Sequence, residues 1–172
     1  MGNLYLTYRE GFPKDLKSPF LENCDGSFVT YGELEEQSSE YANGFYDLGL
    51  QPGDRVSVQV DKSPEVIFIY LACLRSNLIF HPLNTAYKEA ELSFFLDDAE
   101  PSIFICKKEI YNNFSSLDLK KTPQNIFTLE FDEATSIQHI KKKGDHKVMD
   151  LSLIHISEPT RRYAISYAVF CL

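Results

Sequence analysis

Short runs of strand-forming residues at 56–60, 78–81, 102–106 and 126–129 are separated by helix-periodic segments, and this alternation constrains the chain more than any other feature. Strands that run parallel need a crossover of a dozen residues or more, and a helix is the economical way to make one. The pattern therefore predicts βαβ units and a mostly parallel sheet with flanking helices, an α/β fold. Thr30 and Glu33 form a capping-box pair ahead of a helix whose Leu34, Tyr41, Ala42, Phe45 and Leu48 share one face. Gly49 is placed to close that helix in the left-handed conformation. Pro52-Gly53-Asp54 makes a turn into the strand in which Val56, Val58 and Val60 alternate with polar residues.

Ser63-Pro64 marks the next helix start, with the hydroxyl expected to cap and proline in the first turn. Residues 65–75 are apolar nearly all round, as in a helix deep inside a layered protein. Helices are expected at 90–98, more weakly at 110–117, and at 132–140. Ahead of all these, 4–17 is a weakly amphipathic lead-in, and Asp25-Gly26 sits between two short strands as a hairpin turn. The longest purely apolar run, 66–74, is about half of what a membrane span needs.

Composition removes several function classes. Seventeen basic against 25 acidic residues give a net charge of −8, which excludes a basic nucleic-acid coat. With 44% hydrophobic and 24% charged residues the chain can build a core. Cys24, Cys73, Cys106 and Cys171 are widely spaced with no C-x-x-C pair, so neither a disulfide framework nor a zinc site is expected, and a reducing cytoplasm fits. His139, His146 and Asp145 flank a basic stretch, but nothing in their spacing sets a metal geometry, and a solvated helix end accounts for them. Asp97, Asp98 and Glu100 cluster at a helix C-terminus and are expected to be countered by Lys107 and Lys108. Cys73 reads as a small buried hydrophobe. No glycine-rich phosphate loop, G-x-S-x-G or H-E-x-x-H occurs. The segment H-P-L-N-T-A-Y (81–87) leaves a strand C-terminus, the side of an α/β sheet where ligands gather, although Asn84 and Thr85 also suit a plain turn and cap.

Those residues carry a family resemblance as well. G-D-R-V (53–56), K-S-P-E (62–65), Y-L-A-C-L-R (70–75), P-L-N-T-A-Y (82–87) and E-L-S-F-F-L-D-D-A-E-P (91–101) stand in the order seen in adenylate-forming enzymes. The chain resembles the N-terminal part of the acyl-CoA synthetase large domain, and T-A-Y, Lys62 and D-A-E-P favour the malonyl-CoA synthetases. Ser76-Asn77 replaces a small Ala-Gly-type turn, and His81 fills an aliphatic or aromatic slot. The resemblance implies a two-step acid–CoA ligase active in fatty acid metabolism. MgATP and a carboxylic acid give an acyl-adenylate, and coenzyme A then displaces AMP. Malonate or a related small dicarboxylate is the implied acid, with a medium- or long-chain fatty acid or another adenylated acid as the alternative. The cofactors ATP, Mg²⁺ and CoA belong to the full-length parent and none is expected to bind this fragment. The family's phosphate loop, ribose carboxylate, metal-binding Glu, malonate-binding base and C-terminal lysine all fall downstream, so no catalytic, cofactor-binding or metal residue is assigned here. A complete, non-catalytic α/β binding module is the reading from another class.

The last stretch breaks the rhythm. A strand leading into T-S-G-T-T-G is expected after Asp150-Leu151, but the chain continues L-S-L-I-H-I-S-E-P-T-R (151–161). That run, and I-S-Y-A-V-F-C-L (165–172), are similar without mismatch to one translated frame of a transposon-type sequencing-library adapter. The expected division is therefore a truncated AMP-binding domain over 1–150 and translated adapter, not native protein, over 151–172. His155 and Cys171 are accordingly left out of any site. The first residues of the tail, 151–156, mimic a family strand and are expected to be drawn into the sheet.

Overall fold

The computed structural model describes residues 3–130 and 134–145. Helix α1 (Leu4–Glu10) opens the described chain, capped by the Asn3 side chain, which accepts from the Tyr5 amide. Strands β1 (Pro19–Glu22) and β2 (Phe28–Thr30) pair antiparallel around the expected turn, where Gly26 takes φ +81°. Helix α2 (Tyr31–Asp47) starts at the predicted capping box. The Glu33 amide donates to Thr30 Oγ1 at 3.2 Å, and the Thr30 amide donates to Glu33 Oε2 at 2.7 Å.

Strand β3 (Arg55–Gln59), helix α3 (Pro64–Arg75), strand β4 (Ile79–Pro82), helix α4 (Glu89–Ala99), strand β5 (Ile103–Cys106), helix α5 (Lys108–Asn112) and strand β6 (Asn125–Thr128) follow in turn. The four strands form a wholly parallel sheet in the order β4-β3-β5-β6. The chain passes from β3 outward to β4, then crosses back to the other side of β3. Because side chains alternate along a strand, Val56, Val58, Ile103 and Ile105 join one core with α1, α2 and α3. Phe104 and Cys106 face the opposite way, into a smaller core with Leu83, Leu92 and Leu96. Helices on both faces are what right-handed crossovers require when the strand order reverses.

Four expectations change. Ser57 and Gln59 are as buried as the valines between them, because β3 is central and covered on both faces, so its alternation is chemical and not one of exposure. The helix expected at 110–117 is split into α5 and a 3-10 turn at Phe114–Ser116. The helix expected at 132–140 is a 3-10 turn at Ile137–Ile140, while 131–133 lie outside the described residues. Ile137 is buried in the larger core, and a Cβ on Gly44 would stand 2.2 Å from the Ile140 carbonyl oxygen. The 136–145 segment thus runs directly over α2, which favours a chain that follows the helix surface over a helix of its own. Finally, Ser63 makes no capping hydrogen bond, so Pro64 alone marks that helix start. The division at 150 and the strand expected at 151–156 lie outside the described residues.

At the Ser76-Asn77 departure, Asn77 adopts φ +54°, the left-handed region that the usual glycine would take. Its Oδ1 accepts from Asn3 Nδ2 at 2.9 Å, so the turn also anchors α1. Arg75, buried among apolar neighbours, donates to Ser38 Oγ, the Glu35 carbonyl and Tyr5 Oη, and its guanidinium lies 4.0 Å from the Tyr5 ring centroid. Burial holds the Tyr5 phenol up to about 12, so it stays a neutral partner for that cation.

Candidate functional site

In an open α/β sheet the crevice forms at the carboxyl ends of the strands where the order reverses, here between β3 and β5. Gln59, the last residue of β3, is fully buried there beside Cys106 of β5. Its Nε2 donates to the carbonyls of Asn84 at 2.9 Å and Tyr87 at 3.3 Å. One amide group therefore pins both ends of the N-T-A-Y loop over the sheet. The Asn84 side chain accepts from the Ala86 amide at 2.9 Å and the Leu83 amide donates to the Val58 carbonyl at 2.8 Å. Asn84 is thus the turn-maker that the plain reading of P-L-N-T-A-Y anticipates. Asp61 and Lys107 pair at 2.8 Å across the same lip, tying the end of β3 to the start of α5.

A cleft of about 480 Å³ lies beside this loop, bounded by Tyr87, Leu92, Ile110 and Leu117, with Lys88 and Glu109 among its polar rim. The Tyr87 ring stacks on Phe95, with centroids 4.8 Å apart, which gives that wall a rigid aromatic face.

The candidate acid–base and metal residues do not converge. Asp97 accepts from the Lys120 backbone amide at 2.8 Å, and Glu100 pairs with Lys121 at 2.9 Å. Asp97 and Glu100 of this acidic helix end thus meet the Lys120 amide and Lys121, while Lys107 serves Asp61, a correction to the expected pairing with Lys107. His139 belongs to the 3-10 turn, and His146 lies outside the described residues. Among the described residues no three His, Cys, Asp or Glu side chains are grouped as a metal site needs. Burial pushes the Cys73 thiol far up and the Cys106 thiol up to about 12, so neither is a ready nucleophile.

A pairing that sequence reasoning missed is Ser57 Oγ with His81 Nδ1 at 2.8 Å. Both face across adjacent strands, and only the β3–β4 register brings them opposite each other. Burial holds His81 below its ordinary value, Arg55 adds to that, and Asp98 opposes it. The imidazole is therefore neutral near pH 7, and with Ser57 fully buried the pair is a sheet-internal hydrogen bond and no exposed nucleophile.

The positive-φ glycines 26, 49, 53 and 144 sit in turns away from the strand ends at the crevice. At the lip, Gln59 Nε2 is taken up by the 84–87 loop and Asp61 by Lys107. No helix among the described residues is long and apolar enough to cross a membrane.

A parallel sheet that reverses at β3, with helices on both faces and a pinned loop at its carboxyl edge, is an open, doubly wound α/β arrangement. The chain belongs to the AMP-binding enzyme family, whose model matches residues 14–167. Among curated proteins it is 25% identical over 146 residues to a crotonobetaine/carnitine–CoA ligase of Salmonella enteritidis, covering 84% of this chain and 26% of that protein. Among solved structures it resembles ATP-bound MatB from Rhodopseudomonas palustris, with 31% identity, a TM-score of 0.69, and 81% of this chain and 28% of that one covered. A benzoate CoA ligase from Burkholderia xenovorans shares the fold at a TM-score of 0.69 with 15% identity, over 87% of this chain and 29% of that one. The chain thus spans between a quarter and a third of the length of these relatives, and its fold is that of the N-terminal part of an adenylate-forming ligase.

Proposed function

We propose that this chain is the N-terminal portion of an ATP-dependent, Mg²⁺-requiring, AMP-forming acid–CoA ligase of the cytoplasm that makes malonyl-CoA for acyl metabolism. One observation supports malonate in particular. MatB and the benzoate ligase are equally similar in fold, yet MatB is twice as similar in sequence. The likeness to MatB thus extends beyond what the shared fold demands. The crotonobetaine/carnitine–CoA ligases support the coarser class of acid–CoA ligase and keep a different acid as the second reading. In this reading the chain's own residues build the carboxyl edge of the first sheet. Gln59 holds the 84–87 loop, and the Asp61–Lys107 pair closes the lip. The phosphate-binding backbone and the acid pocket come from the part of the parent beyond residue 150, and residues 151–172 are translated adapter.

The test has two arms. Residues 1–172 are expressed and assayed for AMP release with malonate, ATP, Mg²⁺ and CoA, alongside nucleotide titration calorimetry. The expected result is no malonate-dependent AMP and no nucleotide binding, because the anion-cradling amides are missing. The parent gene, recovered from the same genome, is expected to run from Asp150-Leu151 into a Ser/Thr/Gly-rich loop and to encode a malonate-dependent, AMP-releasing enzyme. Continuation into a different fold, or adapter codons absent at 151–161, would overturn the reading.

A further inference from the structure

Residues 136–145 lie along α2 in a way that their own sequence does not explain. Asn43 Nδ2 donates to the carbonyls of Lys142 at 3.1 Å and Gly144 at 2.9 Å, and Ser39 Oγ donates to the Gly144 carbonyl at 2.9 Å. The Lys142 amide donates in turn to the Glu40 carbonyl at 3.1 Å. Lys141 Nζ is 2.7 Å from Glu65 Oε1 and 2.7 Å from Gln37 Oε1, and stands 4.6 Å from the Tyr41 ring centroid. Glu65 also accepts from Tyr41 Oη, so one carboxylate at the start of α3 gathers a cation from the segment and a hydroxyl from α2.

We infer that residues 136–145 are a detachable strap across α2, seated by Gly44 and latched by Lys141 on Glu65. Two features make it a strap and not part of the core. Its grip on α2 and α3 is made of hydrogen bonds and an ion pair, and its apolar anchors are the fully buried Ile137 and the partly buried Ile140, so its opening exposes little apolar surface. Its seat is a glycine in the interior of a 17-residue helix. Glycine there costs about 1 kcal/mol of helix propensity against alanine, yet alanine would place Cβ 2.2 Å from the Ile140 carbonyl oxygen. The helix gives up propensity at the point where the Ile140 carbonyl comes down on it. On the ligase reading, the parent chain continues from the strap toward its phosphate loop, and the strap positions that approach; that consequence rests on the proposed function, whereas the strap itself does not.

Limited trypsinolysis of the 172-residue chain reads the strap directly, because Lys142 and Lys143 lie exposed on it. Lys14 and Lys17, exposed before β1, serve as the reference sites. Gly44→Ala is expected to raise cleavage after Lys142 and Lys143 by about tenfold relative to the reference sites, with helical content retained. Lys141→Met is expected to raise it about threefold, and Lys141→Arg to leave it near the parent rate. If Gly44→Ala does not fold, the contrast between Lys141→Met and Lys141→Arg decides. A Gly44→Ala chain that folds, is more stable and is cut at the parent rate overturns the strap, as does Lys141→Met cut no faster than Lys141→Arg. A recovered gene without the phosphate loop would overturn the positioning role while leaving these rates intact.

Discussion

The two faces of the parallel sheet are covered in different ways. On one face α1, α2 and α3 enclose a continuous apolar cluster in which Tyr41, Phe45, Ile69, Val56 and Ile103 are wholly buried. On the other, α4 and α5 enclose a smaller cluster, and the central strand offers it Ser57 and Gln59 where the first face receives valines. The helix above that second face carries Phe94 on its outer side, 66% exposed. The first face is held by packing. The second is held in good part by directed hydrogen bonds, from Gln59 to the 84–87 loop and from Ser57 to His81. Apolar burial is non-directional and tolerates repacking, while a buried amide aimed at two carbonyls fixes one geometry. The side that holds position by hydrogen bonds is the side next to the crevice.

Four substitutions break or sharpen this contrast. The largest effect is expected from the first face: Phe45→Ala should cost about 3–5 kcal/mol, against about 2–3 kcal/mol for Leu92→Ala on the second. Urea unfolding of both variants measures this, and equal costs would erase the asymmetry. Next comes Gln59→Leu, which removes the side-chain amide that donates to the Asn84 and Tyr87 carbonyls and should cost about 1–3 kcal/mol. Hydrogen exchange at Tyr87, whose amide donates to Asn84, should accelerate while amides of α2 keep their protection. The smallest effect belongs to pH. His81 binds its proton less readily folded than unfolded, so its share of stability is present above its ordinary pKa of about 6.5 and is lost as pH falls through the lowered folded value. In His81→Phe that part of the acid slope should vanish, visible as a flatter dependence of the thermal midpoint below about pH 6.5.

Which parts of this were legible in the sequence follows from how local their causes are. The Thr30–Glu33 box, the Tyr41–Phe45 face and the Gly49 closure depend on residues within a few turns of one another, and each stands as read. The family motifs gave the fold in the same way, since G-D-R-V and P-L-N sit at the starts and ends of strands. What needs partners far along the chain was not legible. Ser57 meets His81 only through strand register, and Asp61 takes Lys107 from the next strand's end. The 132–140 helix fails as an expectation because its apolar spacing suits a helix, but Ile137 is claimed by the core and Ile140 by Gly44. At the crevice the sequence correctly offers Asn84 as a turn residue, while the buried Gln59 that pins its loop reads as one polar position in a strand.

The all-parallel pairing has a consequence for how the molecule comes into being. No hairpin can seed this sheet: β3 must wait for β4 beyond α3, and its other edge must wait for β5 beyond α4. Closing such long loops precedes any reward from the contacts they make, so the sheet forms late and slowly. During synthesis the β1–β2 hairpin and the capped α2 can form as soon as they emerge, whereas Val56 finds Ile103 only after nearly fifty further residues. Until β4 emerges Val56 and Val58 have no strand partner, and until β5 emerges the other edge of β3 stays open, which makes this window of translation the one in which the nascent sheet is most exposed to aggregation.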